Sequence, residues 1–215
     1  MSTRDPAALR RDYRYGVLDE TTIAPDWLTQ LRAWFDHALD DLGALEANAL
    51  QVATVDDAGH PSLRTVLAKG IDERGVSFFT NYDSAKGRDL DARGYAAIQF
   101  VWQAHERQVR ITGSVSRVSR AETEAYFATR PRGSQLGAWA SPQSRVVASR
   151  AVLEQELADV TARFGDGPVP APPHWGGYRV SPDSVEFWQG REDRLHDRLR
   201  FRLVDCAWEL ERLAP

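Results

Sequence analysis

The sequence predicts a mostly β protein with flanking helices, an α+β chain whose strands form a barrel or a closely curled sheet. Between residues 50 and 118 five short apolar runs follow one another with little but turn residues between them, the pattern of an antiparallel meander. On both sides of this region apolar residues recur at helical spacing. The length of 215 residues and the 42% hydrophobic content suffice for one sizeable core, so the expected organisation is an amino-terminal mobile arm over residues 1–20 and one domain over residues 21–215.

The elements follow in order. Residues 4–15 are basic and aromatic, with Arg10, Arg11 and Tyr13, and are too short and polar to hold a helix alone. Asp26 is placed to cap a helix on which Trp27, Leu28, Leu31, Trp34, Phe35, Ala38, Leu39 and Leu42 form one face. Residues 50–55 and 62–69 flank a glycine-containing turn and read as a hairpin, and residues 72–75 return the chain into a third strand over 76–81. A short polar helix over residues 84–93 precedes strands over 95–102 and 107–118. Ser119 and Glu122 form a capping box ahead of a helix through Thr129, and residues 130–145 read as a donor-rich loop. Residues 150–164 place Leu153, Leu157, Val160 and Phe164 on one helical face before a Gly/Pro-rich surface loop. Strands over 177–180, 185–189, 195–203 and 208–213 close the chain and need the earlier sheet to bury them.

Composition excludes several functions. A formal charge of -4 argues against nucleic acid or an anionic membrane as the main partner. Cys206 is the lone cysteine, so no intrachain disulfide can form, and no apolar run approaches the roughly 20 residues of a membrane span. Residues 1–16 lack the apolar core of a secretory signal. A cytoplasmic location is expected. Of the 27 basic residues only Lys69 and Lys86 are lysine, and a compact ammonium in an arginine-dominated chain marks positions where the wider guanidinium fork would not fit against a phosphate or a ring atom.

The chemistry-bearing stretches are cationic and aromatic. Residues 188–202 read WQGREDRLHDRLRFR. If residues 194–201 form a strand, Arg194, His196 and Arg198 share one face. That comb is either the floor of an anion site or a solvated strand face paired with its acidic neighbours. Arg64 and Lys69 are five apart, so strict alternation separates them, and only a bulge or an early strand end brings both to one ligand. Phe79, Thr80 and Asn81 followed by Ser84 and Lys86 resemble a phosphate cradle at a helix amino terminus. Gln108, Gln143 and Ser144 are candidate donors to a heteroaromatic edge. The five histidines show no metal-ligand spacing, and no nucleophile elbow, Walker motif or dinucleotide glycine motif is present. A bound phosphorylated cofactor suits this set better than side-chain nucleophilic catalysis.

Six motifs then carry a resemblance: RTVLAK at 64–69, FFTN at 78–81, ERQV at 106–109, YFATRPRGSQ at 126–135, QS at 143–144 and WQGREDRLHDR at 188–198. Together, from about residue 9 to the terminus, they resemble the pyridoxamine 5′-phosphate oxidase family. The resemblance implies an FMN-binding split β-barrel working as a homodimer, with FMN at the subunit interface. It implies FMN contacts from Arg64, Thr65, Val66, Leu67, Ala68, Lys69, Phe79, Thr80, Lys86, Gln108, Gln143, Ser144, Trp188 and Arg198. For the pyridoxal-type substrate it implies Lys69, Tyr126, Arg130, Ser134, Arg194 and His196, with Arg10 and Tyr13 closing over it and Arg194 and His196 at the reacting carbon. The implied activity is oxidation of pyridoxamine 5′-phosphate and pyridoxine 5′-phosphate to pyridoxal 5′-phosphate, with dioxygen as acceptor, giving hydrogen peroxide and, from the amine, ammonia. The alternatives are a split-barrel flavin reductase on another substrate and a non-enzymatic carrier of FMN or pyridoxal phosphate. One departure stands out: where the family commonly has a second basic residue beside the phosphate lysine, this chain has Ala85.

Overall fold

The computed structural model describes Asp5, residues 12–42 and residues 46–215; Arg10, expected to reach the substrate, lies outside the described residues. Eight strands are hydrogen-bonded in the order β3-β2-β1-β4-β5-β6-β7-β8, and β3 also pairs with β6. Here β1 is Ala49–Val55, β2 Pro61–Asp72, β3 Gly75–Asn81, β4 Tyr95–Trp102, β5 Arg107–Arg117, β6 Trp175–Gln189, β7 Asp197–Val204 and β8 Ala207–Arg212. The β3–β6 pairing closes six strands into an antiparallel barrel, and β7 and β8 extend the sheet beyond it. The helices are α1 Trp27–Leu42, α2 Ala85–Arg93, α3 Arg120–Ala128, α4 Arg132–Ala140 and α5 Arg150–Phe164. By internal contacts the chain divides into two compact units. One comprises Met1–Ala47, Gln99–Ile111 and Asp183–Pro215, the other Asn48–Ile98 and Thr112–Pro182.

In the first unit, α1 buries Trp27, Leu31, Trp34 and Ala38, the spacing that keeps one helical face inward. Burial of Leu31 alone stabilises by about 2 kcal/mol. Asp26 caps the helix as expected, its Oδ1 accepting from the Thr29 amide at 2.8 Å. Trp34 meets Phe187 of β6 edge to face at 5.3 Å. Along β7, Leu199 and Phe201 are buried while the intervening arginines turn outward and pair with acids: Arg198 with Glu186, Arg200 with Glu211, and Arg202 with Glu209 and Glu211. The β7–β8 connection is a two-residue turn at Asp205 and Cys206, both at positive φ (47° and 67°), the backbone that joins twisted antiparallel strands tightly.

In the second unit, β1 alternates, burying Leu50, Val52 and Thr54, whereas β3, paired with β2 on one edge and β6 on the other, is buried along nearly its whole length. Ser84 caps α2 by accepting from the Gly87 amide, and Gly94 ends it in the left-handed conformation (φ 61°). The capping box of Ser119 and Glu122 opens α3. No residue of α5 is buried; it is held partly through Phe164, whose ring lies 5.4 Å from that of Trp139 on α4.

Three expectations need correction. Residues 130–145 are not all loop, since α4 occupies Arg132–Ala140 despite two glycines; burial of Leu136 and Ala140 outweighs that low propensity. Residues 177–180 and 185–189 are not separate strands but parts of β6, because Ser181, Pro182, Asp183 and Ser184 stay extended although they read as a turn. Strand β7 begins at Asp197, not near residue 194. Glu192–Arg194 is a 3-10 turn, with Asp193 and Arg194 at φ 55° and 63°, so Arg194 and His196 both lie outside the strand and the alternation predicted for Arg194, His196 and Arg198 does not hold.

Candidate active site

The second unit contains a cavity of about 850 Å³, within the size range of small-molecule sites. Its wall begins with β2. Ala68 faces Phe78 and Gly70 faces Ser77, so Lys69 is an extra residue, a β-bulge. This is the irregularity that the spacing of Arg64 and Lys69 requires, and both side chains line the cavity. Phe79 and Thr80 of β3, Ala85 and Lys86 at the start of α2, Tyr126, Arg130 and Ser134 around the α3–α4 turn, and Gln143 and Ser144 complete most of it. Both lysines singled out by composition are therefore in this wall. Arg64, Lys69, Lys86 and Arg130 supply four cations, and no carboxylate is among the lining residues.

The hydrogen bonds show which donors are spent. The Lys86 ammonium, buried, donates to Thr80 Oγ1 at 3.1 Å and to Gln143 Oε1 at 3.2 Å. Two of its three protons are thereby used and one is left. Thr80 also donates to Gln143 Oε1 at 2.9 Å, which fixes the amide with its NH₂ group as a remaining donor. Arg64 donates to Thr54 Oγ1 and Ser62 Oγ, each at 2.7 Å, and to the Val52 carbonyl at 3.2 Å. Burial, and then the nearby Arg64, push the Lys86 ammonium below the usual lysine range. Burial likewise lowers the Arg64 guanidinium, against the attraction of Asp89. Desolvated cations with mostly neutral partners are stabilised by an arriving anion.

An aromatic wall stands opposite in chemistry. Phe79 stacks on Tyr126 at 4.1 Å and on Trp175 at 5.5 Å. The Arg130 guanidinium lies 4.5 Å from the Trp175 ring centre, and its Nη1 is buried with no hydrogen-bond partner among the described residues. Burial lowers the Arg130 guanidinium, with Tyr126 opposing. Trp175, which lines the cavity, was not among the residues read from the sequence. Its only signal there is the WGGY run at 175–178: a Cβ on Gly177 would come within 2.9 Å of the Phe79 ring, so the glycine leaves space for that ring.

The remaining predicted residues are placed as follows. Ala68 is buried and does not line the cavity; its amide donates to the Asn48 carbonyl at 2.8 Å. Gln108, Tyr13, Trp188, Arg194, His196 and Arg198 belong to the first unit. There Trp188 and His196 pack at 4.7 Å, and Tyr13 meets them edge-on at 5.9 and 5.6 Å. His196 Nδ1 accepts from the Arg191 amide at 3.0 Å, so in the neutral imidazole the proton sits on Nε2. Burial, then Arg194, hold His196 below the usual histidine value, against Asp197. Arg198 donates to Glu186 at 2.8 Å and to the Ala214 carbonyl at 2.8 Å, and Gln108 accepts from Gln99 at 2.7 Å.

The six-strand barrel with its two added strands and flanking helices is a split barrel, and its cavity has cationic and aromatic walls. Residues 35–164 match the family model described as pyridoxamine 5′-phosphate oxidase, and residues 175–215 match a pyridoxine 5′-phosphate oxidase C-terminal dimerisation region. Pyridoxine/pyridoxamine 5′-phosphate oxidase of Saccharopolyspora erythraea is 58% identical over 97% of this chain and 94% of its own length. That of Ectopseudomonas mendocina is 53% identical over 99% and 100%. The crystal structure of PhzG from Burkholderia lata, in complex with tetrahydrophenazine-1-carboxylic acid, is similar with a TM-score of 0.85 and 31% identity, over 93% of this chain and 98% of that one. The chain belongs to the pyridoxamine 5′-phosphate oxidase family, a family of oxidoreductases. No helix among the described residues is long and apolar enough to cross a membrane.

Proposed function

We propose that this protein oxidises pyridoxamine 5′-phosphate and pyridoxine 5′-phosphate to pyridoxal 5′-phosphate as an FMN-dependent homodimer in the cytoplasm, one domain following an amino-terminal arm. The observation that carries the reading is the cavity wall: four cations, no carboxylate, and a buried Arg130 nitrogen without a partner among the described residues. Such a wall is stabilised by phosphate. FMN fits the same donor set. Lys86 with its remaining proton, Arg64, Thr80, Gln143 and Ser144 would hold it, with Thr65, Val66, Leu67, Lys69 and Phe79 beside it. Gln108, Trp188 and Arg198 complete the expected set, and the match of residues 175–215 to a dimerisation region supports the homodimer.

The chemistry supplied by bound FMN is two-electron acceptance from the C4′ carbon and reoxidation by dioxygen to hydrogen peroxide. The protein's share is orientation and charge. Lys69, Tyr126, Arg130 and Ser134 clamp the substrate phosphate and so fix the pyridine ring, which converts binding energy into alignment of the C4′ hydrogen. Arg194 and His196 cover the ring and steer the C4′ substituent, with Tyr13 closing over them. The lowered His196 stays neutral near pH 7 and presents an N–H donor from Nε2. Water then hydrolyses the oxidised amine to the aldehyde and ammonia.

The test is direct. Purified protein should be yellow, and pyridoxine 5′-phosphate added in air should yield peroxide and aldehyde with no added reductant. Yellow protein without turnover supports a carrier instead, and turnover that requires a nicotinamide or deazaflavin donor supports a reductase.

A further inference from the structure

We propose that Trp175 is a positioning residue for phosphate recognition: its indole face holds the Arg130 guanidinium in place for the phosphate of the ligand. The inference rests on the substrate reading above and deepens it.

Trp175 opens β6 opposite Asn81 of β3 and is only 6% exposed. It meets Phe127 edge to face, the rings 5.0 Å apart at 72°. That contact alone would make it an ordinary core residue. Its faces do something different. Phe79 stacks on it nearly parallel, at 18°, and Tyr126 is parallel to it within 10° at 6.2 Å. The Arg130 guanidinium lies 4.5 Å from the indole centre, close enough for a cation–π contact.

Arg130 needs such a support. Among the described residues its Nη1 is buried without a hydrogen-bond partner, and no carboxylate is among the residues that line the cavity with it. A half-buried guanidinium without a carboxylate partner is costly. An indole face attracts the cation without consuming any of its N–H donors, whereas a carboxylate would consume them and neutralise the charge. Trp175 thus fixes the fork while leaving it free for an anion, and the same stack orients the ring of Tyr126, the aromatic member of the phosphate clamp.

The experiment compares the binding of pyridoxal 5′-phosphate with that of pyridoxal, by absorbance titration of the protein as purified. It uses wild type, Trp175→Leu, Trp175→Phe, Arg130→Leu and the two Trp175 variants in the Arg130→Leu background. The readout is the ratio of the two dissociation constants, which a general loss of packing lowers little because both ligands share the ring. Trp175→Leu should reduce the wild-type ratio about tenfold, equivalent to about 1.4 kcal/mol. Trp175→Phe, which keeps an aromatic face, should lose no more than about threefold. In the Arg130→Leu background neither change should lower the ratio further. An unchanged ratio in both single variants, with the two constants weakening in parallel, overturns the proposal and leaves Trp175 as core only. If Trp175→Leu does not fold, the Trp175→Phe cycle decides: a small loss that vanishes without Arg130 supports the inference, and no loss or an undiminished one overturns it. Wild type that binds both ligands equally sinks the substrate reading itself, and the inference with it, a result distinguishable from failure of the variants alone.

Discussion

Ala85 stands at the first position of α2 and lines the cavity beside Lys86 and Arg64. If the FMN phosphate binds there, the substitution Ala85→Arg has opposite effects on the two states of the protein. Without FMN a new cation sits at a helix amino terminus, where the backbone already presents partial positive charge, a cost of about 0.3–1 kcal/mol. Repulsion from Lys86 and Arg64 adds to it. With FMN bound, a charge-assisted hydrogen bond to phosphate contributes about 1.5–3 kcal/mol. The helix-end and like-charge cost is present in both states and cancels from the comparison, so about 1.5–3 kcal/mol is left for binding, or roughly a 10- to 150-fold lower dissociation constant. Arg88 is not among the residues lining the Lys86 cavity, and its guanidinium donates to the Asp83 carbonyl at 2.5 Å. The assay is titration of flavin-free protein with FMN, followed by flavin fluorescence, together with melting temperatures of both states. The expected pattern is a lower melting temperature without FMN and tighter binding with it. Unchanged or weaker FMN binding in Ala85→Arg would refute the placement of the phosphate beside Lys86.

Three further outcomes follow from the same geometry. Arg194→Ala should lower turnover or substrate affinity at least about tenfold with flavin still bound; near-normal steady-state kinetics would remove Arg194 from the site. Since the folded His196 value lies below the ordinary one, the unfolded chain takes up this proton first as pH falls. The contribution of His196 to stability is complete above the ordinary histidine value and disappears as pH drops through it toward the lowered folded value. Urea midpoints of wild type should therefore fall more steeply between about pH 7 and pH 5 than those of His196→Gln, and parallel curves would contradict the shift. Leu31, fully buried on α1, should cost about 2–5 kcal/mol on substitution by alanine, read from urea unfolding; a loss under about 1 kcal/mol would mean that α1 is not part of the cooperative core.

What the sequence disclosed depended on whether local pattern and tertiary contact agreed. The hairpin of β1 and β2, the Ser84 and Ser119 caps and the apolar face of α1 are local signals that nothing in the fold opposes. α4 was hidden because Pro131, Gly133 and Gly137 argue for loop, and only the burial of Leu136 and Ala140 makes it a helix. The turn at Asp193 and Arg194 was hidden because two consecutive non-glycine residues at positive φ have no compositional mark. The site divides along the same line. Its charge was legible, since lysine is rare here and both lysines prove to line the cavity. Its geometry was legible only as a condition, that Arg64 and Lys69 could share a ligand if β2 were irregular, and the bulge at Lys69 meets that condition. Trp175 was not legible at all, because a tryptophan in an apolar setting reads as core, and it does pack in a core cluster with Phe127. Only the guanidinium on its face separates the two roles. A residue that serves both the core and the site with one ring has no distinct signature in one dimension, because both roles require the same side chain.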